Sequence, residues 1–337
     1  MIKSALDCLP RDLAETYKRM LQSIPENLTN SAKRLLHFLV HSQRPLTLQE
    51  AKEVIATNID VSPSYFDAEC RVFEDQLVLQ YAPGLISVAE VKTTEGMIKE
   101  LSLAHFSVKE FLQHQADFGL PAASNIITRT CLTYLKDITS SHDDIQQDFP
   151  MARFAAETWT SFGPSAEAFQ DSFQAMLMFL EGEETFERLC RLYQPDWGPV
   201  GSFVPPTASR LYYVCLAGLT NVSRVLINKG ADVNAEGGET YNTALEAASA
   251  EGHYDIVKLL LENGADVNAE GSCDYNNALE AASVEGHYEV VKLLLDNGAY
   301  INASGRYDGI IAIEAASIQG HYAIVKLLLE NGADIDD

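Results

Sequence analysis

From residue 205 onward the chain is written in a unit of 34 residues, and that period constrains the fold more than any other feature. Read from Gly237 the unit is GGETYNTALEAASAEGHYDIVKLLLENGADVNAE. Read from Gly271 it is GSCDYNNALEAASVEGHYEVVKLLLDNGAYINAS, and 23 of the 34 positions are identical. A Gly-Ala pair returns at Gly230, Gly264, Gly298 and Gly332, a step of 34 each time. A fixed step of this size predicts helical supersecondary units stacked in a row. Ala247 and Ala248 are small, so the first helix of a unit can lie close to its neighbours. Gly252 supplies the left-handed backbone that ends this helix and Gly264 ends the second, with Gly320 and Gly298 in the equivalent places. Ile256, Val257, Leu260 and Leu261 form an apolar stripe at helical spacing. One unit cannot bury that stripe alone; the next unit does it. The array divides as 205–236, 237–270, 271–304 and 305–337, the first unit being degenerate but in register through Ser209, Gly218, Val225-Leu-Ile227 and Gly230-Ala-Asp-Val-Asn234.

These residues resemble ankyrin repeats. Thr243-Ala-Leu-Glu246 stands where the family has Thr-Pro-Leu-His at the start of its first helix. Gly252-His253 makes the turn between helices, Ile256–Leu261 is the second helix, and Gly264-Ala-Asp-Val-Asn268 leads into the hairpin. The predicted fold is mainly α, ending in a solenoid of four repeats.

The segment before the array reads differently. Residues 9–23 are amphipathic, with Pro10 in the first turn and Leu13, Tyr17 and Leu21 on one side. A second helix is expected over Ser31–His41. Thr47-Leu-Gln-Glu50 is a capping box that opens a third helix, and Ser107-Val-Lys-Glu110 reads as another. Gly84–Val91 and Met97–His105 alternate as strands of a hairpin around Thr93–Gly96. Three helices and a hairpin predict a winged helix over 1–115. Helices are expected near Ile126–Leu135, Phe149–Trp159, Phe169–Leu180 and Phe186–Tyr193, with loops at Gly163-Pro164, Gly182 and Trp197–Pro206, forming a helical connector over 116–204.

Leu9-Pro10, Tyr17, Ile24-Pro25, Arg44-Pro-Leu-Thr-Leu-Gln-Glu50, Gly84-Leu-Ile-Ser87 and Leu103-Ala-His-Phe-Ser-Val-Lys-Glu-Phe-Leu112 together resemble the winged-helix domain that follows the NACHT domain in fungal NACHT–ankyrin proteins of the STAND class. Cys131–Leu135, Met151–Trp159 and Arg191–Asp196 resemble the connector of the same proteins, without the histidine usual after the tryptophan. The resemblance implies the sensing or scaffold half of a signalling protein, with family roles in non-self recognition and programmed cell death. A STAND switch needs Gly-x-x-x-x-Gly-Lys-Ser/Thr to cradle phosphate, and neither Gly-Lys-Ser nor Gly-Lys-Thr occurs here. The chain is therefore expected to lack the NTPase part, as a truncated product or a free-standing sensor half, and to bind no nucleotide cofactor.

Charge narrows the partners. The chain holds 24 basic and 48 acidic residues, net −24, and residues 203–337 alone carry 7 basic and 20 acidic. Such a field repels nucleic acid and anionic membrane and favours basic or neutral protein partners; it also keeps a protein soluble. Six scattered cysteines without a Cys-x-x-Cys pair suit a reducing compartment. No apolar run reaches the ~18 residues of a spanning helix, and the first residues do not form a signal peptide, so a cytoplasmic protein is expected. A DNA-binding regulator using the winged helix is the alternative. It needs a positive stripe, whereas residues 1–115 hold 12 basic against 15 acidic residues.

No catalytic set and no metal site emerges. His253, His287 and His321 recur at the period, but stacked units ~10 Å apart cannot share an ion bound at ~2 Å; the resemblance makes them structural turn residues. Glu246, Glu280 and Glu314 form a second ladder, read as a solvated acidic strip at the surface that accepts hydrogen bonds from neighbouring units. His105 and Ser107 have no third partner. Variation inside the unit is more informative. Scaffold positions agree while the hairpin tips differ: EGGETYN, EGSCDYN, SGRYDGI. Glu239, Tyr241, Asp274, Tyr275, Arg306, Tyr307 and Asp308 are the candidate protein-binding residues, tyrosine being favoured at interfaces. Two readings stand, an adaptable binding surface or drift in unconstrained loops. The fourth unit carries Ile313, Ala316, Ile324, Val325, Leu327, Leu328 and Leu329 with no added charge to mark a cap. It is expected to fray over 318–337 or to self-associate.

Overall fold

The structure is a computed structural model that describes residues 11–94, 96–138, 145–193, 208–238, 240–272, 275–303 and 311–334. It divides into two compact units, Met1–Phe179 and Leu180–Asp337, the division falling within the segment read from sequence as connector.

The first unit is built on a winged helix. α1 (Arg11–Gln22) and α2 (Thr29–His41) lead to β1 (Leu46–Thr47) and α3 (Leu48–Ala56). The Thr47 hydroxyl accepts from Glu50 N, and the Glu50 carboxylate returns to Thr47 N, so the expected capping box starts α3. β2 (Thr57–Asn58) pairs with β3 (Tyr65–Phe66), and one helical turn, α4 (Asp75–Val78), precedes the wing. The wing strands β4 (Ile86–Thr93) and β5 (Gly96–Leu103) are antiparallel, Ile86 opposite Leu103 and Thr93 opposite Gly96. β1 adds to β5 through Leu46 and Leu101, both fully buried.

α5 (Phe106–Gln113) corrects one expectation. It begins before Ser107, and its cap is His105, whose Nδ1 accepts from Ser107 N. Ser107 is not a capping residue. It lies buried in the first turn, with Oγ 2.6 Å from His105 Nδ1 and 2.8 Å from the Tyr17 hydroxyl, which ties α1 to α5. The Tyr17 ring also meets Phe111 at 5.6 Å.

α6 (Leu120–Asp137) runs past both expected ends, with Pro121 in its first turn where a missing N–H costs nothing. After α7 (Ile145–Asp148) comes α8 (Ala152–Ala166), and here Gly163-Pro164 is helix, not loop. Proline forfeits one hydrogen bond inside a helix, but buried Gly163 and Ala166 pack the last turn, and the Gly163 carbonyl still accepts from Glu167 N. Two groups stitch the surroundings of this helix pair. Buried Glu53 meets Nε and Nη2 of Arg71, which also donates to the Asp148 carbonyl and lies over Phe66 and Phe149. Arg34, buried in α2, donates to the Val54 and Thr57 carbonyls and pairs with Asp60. α9 (Gln170–Glu181) contains the point of division.

The second unit opens with α10 (Glu183–Leu192). Phe186 packs edge-on against Tyr213 and lies under the Arg210 guanidinium, and Arg210 Nε donates to the Leu180 carbonyl. The repeats follow as helix pairs: α11 (Arg210–Leu216) with α12 (Thr220–Asn228), α13 (Ala244–Ala250) with α14 (Tyr254–Glu262), α15 (Ala278–Glu285) with α16 (Tyr288–Asp296), and α17 (Ala312–Gln319) with α18 (Tyr322–Glu330). The first helices stack in one row, α11 on α13 on α15 on α17, and the second helices in another. Ala247, Ala248, Ala281 and Ala282 are fully buried, and their size permits the close stacking. Ile256, Val257 and Leu260 are buried between units. In the fourth pair Ile313, Ala316, Ile324 and Leu328 are buried too, while Leu329, Ile318 (71%) and Tyr322 (79%) are exposed.

Candidate functional site

Three ladders at the 34-residue step hold the repeats in register and set the tips. The first is histidine. Nε2 of His253 lies 3.1 Å from the Leu216 carbonyl, that of His287 2.8 Å from Ala250, and that of His321 2.8 Å from Val284, so each ties its unit to the first helix of the unit before. The space for the ring comes from glycine. A Cβ on Gly218, Gly252 or Gly286 would stand 2.9, 2.5 or 2.6 Å from the ring of the following unit's histidine, and all three glycines have positive φ. Burial holds His253 below its ordinary pKa, which keeps the ring neutral.

The second ladder is asparagine. Asn234 accepts from Asp266 N and donates to the Gly264 carbonyl; Asn268 does the same with Tyr300 N and the Gly298 carbonyl. Asn302 accepts from Asp334 N. These residues escaped the sequence reading as functional positions, although their 34-residue spacing carried the signal.

The third ladder corrects an expectation. Glu246 and Glu280 are not a solvated strip: they are 1% and 4% exposed. Glu246 accepts from Asn242 N at 2.7 Å within its own hairpin, and from Ser272 N and Oγ at 3.0 and 2.9 Å in the next. Glu280 accepts from Asn276 N and its side-chain amide. Only Glu314 is exposed, accepting from Ile311 N. Surface charge was inferred from residue type; backbone amides that would otherwise be orphaned in the hairpins draw the carboxylates inward. Burial outweighs those hydrogen bonds and pushes the Glu246 carboxyl up to about 7.

The tips stand on these ladders. Gly237 N donates to the Asn242 carbonyl and Gly271 N to the Asn276 carbonyl, closing each tip. A Cβ on Gly237 or Gly271 would meet the Tyr241 or Tyr275 carbonyl at 2.5 or 2.3 Å, so the chain turns back too closely for any side chain there. The closure brings two candidate residues together. Tyr241 and Tyr275 stack at 5.9 Å with their planes 16° apart, and both are half-buried. The Tyr275 hydroxyl donates to Glu285 Oε1 at 2.9 Å, laying its ring along α15. Glu285 is exposed, as is Glu251, its equivalent at the end of α13; neither was singled out from sequence. Glu239, Asp274, Arg306, Tyr307 and Asp308 lie outside the described residues.

Among the described residues no group of three or more His, Cys, Asp or Glu could hold a metal ion, and no helix is long and apolar enough to cross a membrane. Cys70, Cys131, Cys190 and Cys215 are free thiols. In the first unit, a cavity of about 380 Å³ lies between Arg44, Glu50, Phe149, Arg153, Phe154 and Glu157. The Arg44 guanidinium there already binds the Glu50 carboxylate and covers the Phe154 ring.

Comparison with known proteins agrees with this architecture. Residues 184–271 and 270–337 match the family described as ankyrin repeats (3 copies), and residues 17–126 match the winged-helix domain of GPI inositol-deacylase. A protein of Monascus ruber named azaphilone pigments biosynthesis cluster protein L is 36% identical over 281 residues, which cover 75% of this chain and 59% of that protein. The chain thus spans well under two thirds of the length of this curated relative. It joins a winged-helix domain of the GPI inositol-deacylase type to ankyrin repeats, the arrangement expected of the C-terminal part of a NACHT-associated protein.

Proposed function

We propose that the chain is a non-catalytic protein-binding module, the ligand-sensing or scaffold part of a NACHT–ankyrin signalling protein acting in the cytoplasm. One observation carries the reading. Period-locked hydrogen bonds fix the scaffold of every repeat, while the tips that differ in sequence hold a stacked, half-exposed tyrosine pair. Rigid aromatic surface on a preorganised frame binds at little entropic cost. The matched families support the same reading.

The DNA-binding alternative has less support. Helix α3 is buried on nearly every side, and its Glu50, Lys52 and Glu53 are spent on Arg44, Asp75 and Arg71. The helix just before the wing, Asp75–Val78, carries no basic residue. DNA recognition needs a positive face that neither offers.

The test is site-specific photocrosslinking of the full chain in a lysate of the source organism. The photoreactive residue replaces Tyr241 or Tyr275 at the tips, and Lys258 or Lys292 on the second helices. Protein adducts specific to the tip positions support the module; equal adducts from both faces, or none, contradict it.

A further inference from the structure

Charge is divided by face within the repeats. In residues 237–270 the only basic residue is Lys258, and in 271–304 it is Lys292. Both lie on second helices, Lys258 within 4.0 Å of Glu262. The ends of the first helices carry exposed carboxylates, Glu251 and Glu285. Beside Glu285 lies the one stacked aromatic pair among the described residues of the repeats, Tyr241 on Tyr275, and Glu285 is hydrogen-bonded to it through a single oxygen, Oε1. The face of an electron-rich ring attracts a cation, and arginine combines that attraction with a planar fork matched to a carboxylate. Aromatic rings and a carboxylate fixed side by side supply both halves of that recognition.

We propose that this surface of the second and third repeats is the docking site for an arginine-bearing basic segment of the partner protein, a guanidinium lying against the Tyr241–Tyr275 pair and held by the Glu285 carboxylate. The proposal rests on the binding-module reading and names the chemistry of its partner. Charge complementarity selects this occupant: an acidic segment would meet like charge here, and a purely apolar one would desolvate Glu251 and Glu285 without supplying a counter-charge. Lysine fits less well, because a compact ammonium cannot lie flat on the ring while forking the carboxylate.

The test uses the full chain and a fluorescein-labelled peptide with arginines spaced by glycine and serine, read by anisotropy at ~0.15 M salt, where exposed charges beyond ~8 Å are screened. A second peptide has citrulline at every arginine, which keeps the shape and removes the charge. The expected result is saturable binding of the arginine peptide and at least ~10-fold weaker binding of the citrulline peptide, a difference of ~1.4 kcal/mol. Glu285→Gln and Tyr275→Ala should each weaken binding ~5-fold or more. Glu289→Gln, which removes the same charge from an exposed position on α16, should change it less than 2-fold, roughly. Circular dichroism establishes that each variant is folded, and Tyr275→Leu, which removes the aromatic face but keeps the bulk, serves if Tyr275→Ala is not. Equal losses from Glu285→Gln and Glu289→Gln would mean that the peptide feels only the net charge, and would overturn the proposal. So would equal binding of the arginine and citrulline peptides, or no saturable binding. If the peptide fails while crosslinks through residue 241 still capture a protein, the cation site falls and the binding-module reading stands.

Discussion

Replacing Gly252 with alanine tests the histidine ladder, because the structure separates two costs that the sequence places on one residue. The first is backbone. Gly252 has φ +71°, and Gly264, twelve positions later in the same unit, has φ +87°. Left-handed backbone costs a residue with a Cβ ~1–2 kcal/mol, partly offset by ~0.4–1 kcal/mol from the stiffer unfolded chain. Both glycines share this cost. The second is contact. A Cβ on Gly264 meets nothing within 4 Å, whereas on Gly252 it stands 2.5 Å from Nδ1 and 2.6 Å from Cε1 of His287. The ring must move by most of an ångström, and its 2.8 Å bond to the Ala250 carbonyl is lost. A buried carbonyl left unpaired costs ~1–3 kcal/mol. Gly252→Ala should therefore be less stable than Gly264→Ala by ~1–3 kcal/mol in urea unfolding followed by circular dichroism, at unchanged slope. Gly320, at the same place in the unit as Gly252 and with φ +80°, meets nothing within 4 Å, so Gly320→Ala should resemble Gly264→Ala. Adding His287→Ala to Gly252→Ala should cost less than the sum of the two, since both break one contact. Equal losses for Gly252→Ala and Gly264→Ala, or strict additivity with His287→Ala, would refute the ladder.

Other outcomes follow from the same geometry. The Glu246 carboxyl is raised from 4.5 to about 7 in the folded chain, so the folded state binds the proton more tightly. Its favourable contribution is complete below pH ~4.5 and is lost as pH rises through ~7, worth ~3 kcal/mol at most. His253, held below its ordinary value, acts in the opposite sense as pH falls through its range, so the measurement is the difference in pH slope between wild type and Glu246→Gln; identical slopes would mean the carboxyl is not buried. Leu260→Ala should cost ~2–5 kcal/mol through a cavity between units, against ~1 kcal/mol for the half-buried Tyr241→Ala/Tyr275→Ala pair, read as shifts in thermal unfolding. Thr47→Ala should remove ~0.5–2 kcal/mol by opening the capping box, whereas replacing the exposed Lys109 of α5 with alanine should change stability by less than ~0.5 kcal/mol.

The period carried much of this architecture into view before any coordinates. A step of 34 residues announces stacked helix pairs, and the glycines that end helices announce themselves by recurring with it. Burial was less legible, because a buried carboxylate and an exposed one repeat with the same period; Glu246 was misplaced for that reason, and only the amides of Asn242 and Ser272 explain its position. Local rules also competed. Ser107 has the form of a helix cap, but His105 takes that role and the Ser107 hydroxyl turns to Tyr17. Pro164 reads as a stop, yet buried packing around Gly163 carries α8 through it. At the tips, tyrosine was visible as a residue type, but the stacking of Tyr241 on Tyr275 depends on the distance between adjacent units, which no single unit encodes, and the bond from Tyr275 to Glu285 on how the tip folds back beside α15.

The central claim is that the repeat tips bind a protein on a frame that does not depend on them. The direct measurement is the affinity of the crosslinked partner for three forms of the full chain: wild type, Tyr241→Ala/Tyr275→Ala, and Leu260→Ala, each below its own melting temperature. The account predicts that the tyrosine variant loses at least ~10-fold in affinity, ~1.4 kcal/mol, with a small stability change, while Leu260→Ala loses stability but binds as wild type while folded. A tyrosine variant that binds like wild type, or one whose affinity falls only in step with its stability, would contradict it.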